Sequence, residues 1–136
     1  MLKTAYADIA AYQTLDGSLI RELMHPQVQG NRAQSLAEAT IPAGGQTLLH
    51  RHRVSEELYH ISAGGGWVWL VDRWLNVARG DTVCIPAGTP HCARADISGP
   101  LIILCCCSPA YDHADTELLD GSVPEIDVAG QACGNT

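Results

Sequence analysis

The chain has 136 residues and a formal charge of −7, a length that reads as one domain burying about two-thirds of its unfolded surface. Eight Lys and Arg, thinly spread, leave no basic footprint for nucleic acid. No run reaches the ~18 apolar residues of a membrane span and the N-terminus shows no secretory leader, so a soluble cytoplasmic protein is expected.

Residues 1–9 read as a short strand or arm. Residues 11–15 and 18–23 flank Asp16-Gly17, a two-residue hairpin signal, and His25-Pro26 closes that unit. Residues 27–32 are polar and loop-like. Residues 34–41 read as a strand despite their alanines, 42–45 as a turn and 46–52 as the next strand. The polar link from Arg53 to Glu56 suits a turn, and Leu58-Tyr59-His60-Ile61 begins a new strand. Gly64-Gly65-Gly66 reads as a tight turn, because no Gly-Lys-Ser/Thr follows to make a phosphate cradle. Residues 67–71 and 74–77 form a hairpin around Asp72-Arg73, with Trp67 and Trp69 expected as aromatic core. Residues 82–85, 91–95 and 101–107 complete the strands. Beyond Pro109 the chain turns polar and acidic, and residues 122–136 read as a mobile tail. Many short strands, Gly/Pro turns and no long helical period suit a barrel or sandwich.

Two histidines at spacing two, His50 and His52, share one face of a strand about 6.6 Å apart. Glu57 follows five residues later, with Glu56 as a rival carboxylate. Imidazole and carboxylate together suit a divalent transition metal. If Glu57 faces inward, Tyr59 and Ile61 do too, while Leu58 and His60 face out. Tyr59 is therefore a candidate catalytic residue, orienting a substrate or transferring a proton. Arg51 and Arg53 alternate with the histidines and point outward. His25, His60 and His113 read as surface or loop histidines, and residues 112–115 as a solvated acidic segment.

Six cysteines without an export signal point to reduced thiols rather than disulfides. Cys105, Cys106 and Cys107 are consecutive on a strand, so neighbours point to opposite faces and cannot bridge comfortably. They read as small buried hydrophobes. The sharper alternative places Cys105 and Cys107 against a metal cavity.

Periodicity does not say what His91 meets; a family resemblance does. Gly44, His50, His52, Glu57 and Gly64 resemble the first motif of the cupin superfamily, G(X)5HXH(X)3-4E(X)6G. Gly80, Pro86, Gly88 and His91 resemble the second, G(X)5PXG(X)2H(X)3N, with Ala95 in place of its final Asn. The resemblance implies an all-β, single-domain cupin-type β-barrel (double-stranded β-helix, or jelly roll). It spans residues 1–121 with an N-terminal strand extension, and its metal-site core is about 34–108. It implies His50, His52, Glu57 and His91 as ligands of one divalent transition metal per chain, Fe, Mn, Ni, Zn or Cu. Four protein donors on a six-coordinate metal leave two positions for a small-molecule substrate, or for one substrate atom and O2. A dioxygenase-type oxidation of a small organic molecule is favoured. The alternatives are a non-redox isomerase, epimerase or lyase acting on a sugar or small acid, and a non-catalytic metal- or ligand-binding module. A homodimer is expected, with the Asp16-Gly17 hairpin as the contributor that covers a sheet edge.

Overall fold

The computed structural model describes residues 2–126. Its strands are β1 (Tyr12–Gln13), β2 (Leu19–Met24), β3 (Ser35–Ile41), β4 (His50–His52), β5 (Glu56–Ala63) and β6 (Gly65–Leu70). There follow β7 (Arg73–Ala78), β8 (Thr82–Ile85), β9 (His91–Ala95), β10 (Leu101–Ser108) and β11 (Thr116–Leu118). They form two antiparallel sheets, one of six strands in the order β1-β2-β3-β10-β5-β8 and one of five in the order β11-β4-β9-β6-β7. The all-β, jelly-roll barrel expected from the sequence is the architecture found.

Alternation decides which side chains fill the barrel. Along β5, Glu57, Tyr59 and Ile61 are buried while Glu56, Leu58 and His60 are exposed. On β10 the buried set is Leu101, Ile103, Cys105 and Cys107. Of these, Tyr59, Ile61, Leu101, Ile103 and Cys105 pack with Ile41, Val68, Val77 and Ile85 into one core between the sheets. Val68 is fully buried, so the inward face of β6 is the Val68 face. Trp67 and Trp69 lie outside it and are only half-buried, contrary to the expected core role. Trp69 instead meets Trp74 edge-on, and the Trp74 indole N–H donates to the Pro124 carbonyl at 2.8 Å. The start of the expected tail is thus docked on the five-stranded sheet; its residues 127–136 lie outside the described residues.

Several local expectations are corrected. Residues 6–8 form a 3-10 turn rather than a strand. Pro26–Gln29, expected as loop, is one turn of helix: the His25 side chain accepts from the Gln27 N–H, Pro26 stands where no N–H is needed, and Gly30 ends the turn in the left-handed region. The strand expected at 46–52 narrows to His50–His52, with Gln46 reduced to a single bridge to Arg94. The β6–β7 turn falls on Val71-Asp72, with Val71 at φ 61°, one residue earlier than read.

Of the three consecutive glycines, Gly65 and Gly66 belong to β6, and only Gly64 has a positive φ, 75°. A Cβ at Gly64 would collide with the Pro100 carbonyl. Gly64→Ala is therefore expected to destabilise the protein by at least about 2 kcal/mol. That should lower the thermal midpoint by roughly 5–10 °C; an unchanged midpoint in a calorimetric scan would contradict the described turn.

Candidate metal centre

Cross-strand register brings the first two donors together. His50 on β4 is the direct partner of His91 on β9, and their ring centroids are 4.2 Å apart. His52 joins them from the same face of β4, its ring 5.2 Å from His50 and 5.4 Å from His91. Residues 53–55 then carry the chain across to the other sheet. There Glu57 on β5 points back, with Oε1 3.1 Å from His52 Nε2 and 3.3 Å from His91 Nε2. All four side chains are buried and offer donor atoms within 4.8 Å of one another. The rival Glu56 is exposed and faces away.

Each imidazole is held by its other nitrogen. His50 Nδ1 donates to the Leu48 carbonyl at 2.8 Å and His91 Nδ1 to the Thr89 carbonyl at 2.9 Å. His52 Nδ1 lies 3.0 Å from Thr116 Oγ1, whose own hydrogen goes to the Asp112 carbonyl, so the hydroxyl accepts from the imidazole. In a neutral ring each Nε2 is thereby the bare nitrogen, and the three Nε2 atoms converge with Glu57 on one small space. Outer hydrogen bonds of this kind fix the tautomer of metal-binding histidines. His91 Nε2 is buried and, despite its 3.3 Å approach to Glu57, makes no hydrogen bond of acceptable geometry. An orphaned buried nitrogen is costly, and a cation at the centre of the cluster would satisfy it. The donor set therefore fits a divalent transition metal.

The electrostatics agree. Burial, then the neighbouring His91, holds His50 down at about 4, so it stays neutral and ready to coordinate at ordinary pH. Burial works against ionised Glu57, but the hydrogen bond from His52 and the close approach of the His52 and His91 rings win and hold its carboxyl well below the usual range. For His52, burial is outweighed by the Glu57 carboxylate, and its pKa rises.

The second oxygen of Glu57 accepts from the Cys107 thiol at 3.2 Å. Cys105 and Cys107 both line the cavity, as the sharper reading of the cysteine run has it, while Cys106 faces out. Burial pushes the thiols of Cys105 and Cys107 up, with the Glu57 charge adding to it, so both are protonated and poor nucleophiles. Cys107 acts as a donor that fixes the carboxylate. Cys107→Ala is expected to weaken metal binding by about 10–100-fold. Cys107→Ser, which keeps a donor, should retain most of it. Competitive titration with a chromogenic chelator reads both.

Above the cluster lies a cavity of about 530 Å³, counting its solvent-filled mouth. Tyr59 lines it where the alternation placed it, buried and with its ring 5.8 Å from that of His91. Three further residues were not identified from the sequence. Asp16, read only as a turn residue, puts Oδ2 3.7 Å from His50 Nε2. Tyr111 sits edge-on to His52 at 5.7 Å, and Glu22 faces the same space. The segment read as solvated acid is also structural: Asp115 accepts from the Val54 and Ser55 N–H groups and steadies the turn before Glu57. His25, expected at the surface, is buried, and its Nε2 lies 2.7 Å from the Tyr111 carbonyl.

A small antiparallel barrel with a three-His, one-carboxylate cluster at the floor of its cavity is an arrangement that fits a metal ion. The chain belongs to the cupin family: the family described as "Cupin domain" matches residues 37–107. It is 48% identical over 120 residues to the uncharacterized protein MJ1618 of Methanocaldococcus jannaschii, covering 88% of this chain and 96% of that one. Among solved structures, it resembles the polyketide cyclase RemF of Streptomyces resistomycificus with a TM-score of 0.75 at 20% identity, covering 90% and 87% of the two chains. It also resembles Pac13, a nucleoside dehydratase, with a TM-score of 0.71 at 14% identity, covering 88% and 91%. Both structures share the fold.

Proposed function

We propose that the chain is a metal-dependent enzyme acting on a small organic molecule, with His50, His52, Glu57 and His91 holding one divalent transition metal. The observation that carries this reading is the buried cluster of bare Nε2 atoms at the floor of an open cavity. Once bound, the metal supplies Lewis acidity or, as Fe(II), oxygen activation. The chain's own contribution is a pair of proton-handling groups that line the same cavity, Tyr59 and Asp16. Tyr59 is a phenol whose pKa burial raises well above its ordinary value, so it donates. Asp16 presents Oδ2 3.7 Å from His50 Nε2. An acid and a base in one cavity suit a non-redox isomerisation, dehydration or elimination. Of the structures that share the fold, one is described as a nucleoside dehydratase, a reaction of that kind. This observation moves the balance toward the lyase or isomerase reading.

The dioxygenase reading stands second, supported by four protein donors that leave two positions for O2 and substrate. Oxygen uptake by Fe(II)-loaded protein, over a panel of small hydroxylated substrates, separates the two. Substrate-dependent uptake establishes the oxidative reading. Turnover with no uptake, equally good with Zn(II) or Mn(II), establishes the non-redox one. No measurable metal binding would refute both.

The setting is reducing and cytoplasmic in this reading, supported by five free thiols among the described residues. No helix among the described residues is long and apolar enough to cross a membrane. We also propose a homodimer. The N-terminal hairpin, expected to supply the contact, is spent inside the protomer, where β2 pairs with β3. Cross-strand register instead aligns Leu36, Cys106, Leu58 and Cys84 in one row across the outer face of the six-stranded sheet. Light scattering should give twice 14.5 kDa, and Leu58→Glu should halve that mass.

A further inference from the structure

The cavity wall that adjoins the metal cluster bears on which molecule enters. The N-terminal hairpin makes most of it, with the acids Asp16 and Glu22, the phenol of Tyr12 and the hydroxyls of Thr14 and Ser18, and Tyr111 stands alongside. Among the described residues that line the cavity there is no Lys or Arg. Asp16 is fixed in place. The backbone N–H and the hydroxyl of Ser18 both donate to Oδ1, at 2.9 and 2.7 Å. The Leu48 N–H donates to the Asp16 carbonyl at 2.8 Å, pinning the turn beside the strand that bears His50. Oδ2 is thereby left free, 3.7 Å from His50 Nε2.

Asp16 is not one of the donors that lie within 4.8 Å of one another. Asp16 thus stands beside the four-donor cluster rather than within it, placed to meet a molecule that a bound metal would hold. Farther along the same wall, Glu22 Oε1 is buried with no hydrogen-bond partner, while Oε2 receives the Tyr12 hydroxyl at 3.4 Å. Ile20, Ala37 and Ala39 fill the surface beside them with apolar groups.

We propose that the cavity selects an uncharged, hydroxyl-bearing molecule, one hydroxyl directed to the His50, His52, Glu57 and His91 cluster and further hydroxyls received separately by Asp16 and by Glu22. The proposal deepens the functional reading above and rests on it. Each hydroxyl brings one hydrogen, so one satisfies Asp16 Oδ2 and another supplies the partner that Glu22 Oε1 lacks. A carboxylate or phosphate has no hydrogen for either. Charge works in the same direction. Glu57 and Asp16 together neutralise a divalent ion, so the loaded site offers an anion no net attraction. At a separation of about 6 Å and an effective dielectric of about 20, each carboxylate disfavours a monoanion by roughly a hundredfold. The Ile20, Ala37 and Ala39 surface takes the carbon skeleton.

The test uses the Co(II)-loaded protein, whose visible spectrum reports entry of a ligand at the metal. The probes are cis-1,2-cyclohexanediol and acetate, and the variants are Asp16→Asn, Glu22→Gln and the pair combined. The diol is expected to saturate the wild-type spectrum while acetate does not. In the double variant, acetate should bind at least tenfold tighter and the diol at least threefold weaker, with metal content unchanged. Glu22→Gln alone should move both affinities in the same directions by smaller factors. Unchanged acetate affinity in the double variant, or loss of metal on replacing Asp16, overturns the proposal. Failure of the wild-type protein to take up metal overturns the functional reading instead. In that event the same two probes, titrated into metal-free protein and followed by NMR, still decide the preference: tighter binding of acetate than of diol sinks it.

Discussion

His91→Ala is expected to lower metal affinity by more than about 100-fold, so that the purified variant carries almost none. Removing a partner that merely orients a ligand costs about 10–100-fold; removing the ligand must cost more. His91 is the best single probe because it is fully buried and its Nε2 has no other hydrogen-bond partner. Metal binding is linked to folding, so the metal-dependent part of the thermal midpoint should vanish with it. His60→Ala is the control, since His60 is exposed and bonds only Thr82 Oγ1, at 2.8 Å. The carboxylate can be tested in the same assay. Glu57→Gln should weaken binding far more than Glu56→Gln, because only Glu57 faces the histidines. Full metal occupancy in His91→Ala, measured by elemental analysis, would refute the assignment.

What was legible in the sequence was whatever a period of two or a fixed motif spacing encodes. Alternation along residues 56–63 put Glu57, Tyr59 and Ile61 inside and Leu58 outside, and burial follows that pattern. The motif spacing placed His91 against His50, which periodicity could not do, and the register pairs those two residues directly. What stayed hidden depends on contacts between segments remote in sequence. Asp16 looked like a turn residue and is one. That its free oxygen faces His50 follows only from β2 pairing with β3 and from the Leu48 N–H anchoring the turn. Thr116 and Tyr111 lie in a polar stretch with no period, yet β11 adds to β4 and brings Thr116 opposite His52. Residue types cannot reveal such an edge strand when three residues are all there is of it. The two tryptophans misled for a different reason. Both faces of β6 are apolar, and large side chains on the outer face find cover from Trp74 and the segment around Pro124.

The second large effect concerns Tyr59. The residue is only 5% exposed, and its ring packs edge-on to His91 while lining the cavity. Burial, followed by the Glu57 charge, lifts its phenol well above the ordinary value, so at any working pH it carries its proton and acts as a donor. A donor on the wall beside the open face can hydrogen-bond an oxygen of a bound molecule or deliver a proton to a departing one. Positioned acid catalysis is worth about 10²–10⁴-fold. Tyr59→Phe keeps the ring and its packing on His91 and removes only the hydroxyl. The variant is therefore expected to bind metal as tightly as the wild type and to melt within a few degrees of it. It should nonetheless lose about 100-fold or more in kcat on whatever substrate the screen with metal-loaded protein identifies, and any acidic or basic limb that the phenol contributes to the pH–rate profile should disappear. If Tyr59 serves only to fill the barrel, rate and metal content will both stay within twofold of wild type. That result would leave Asp16 as the chain's one proton-handling group at the open face and remove the acid–base pair on which the non-redox reading leans.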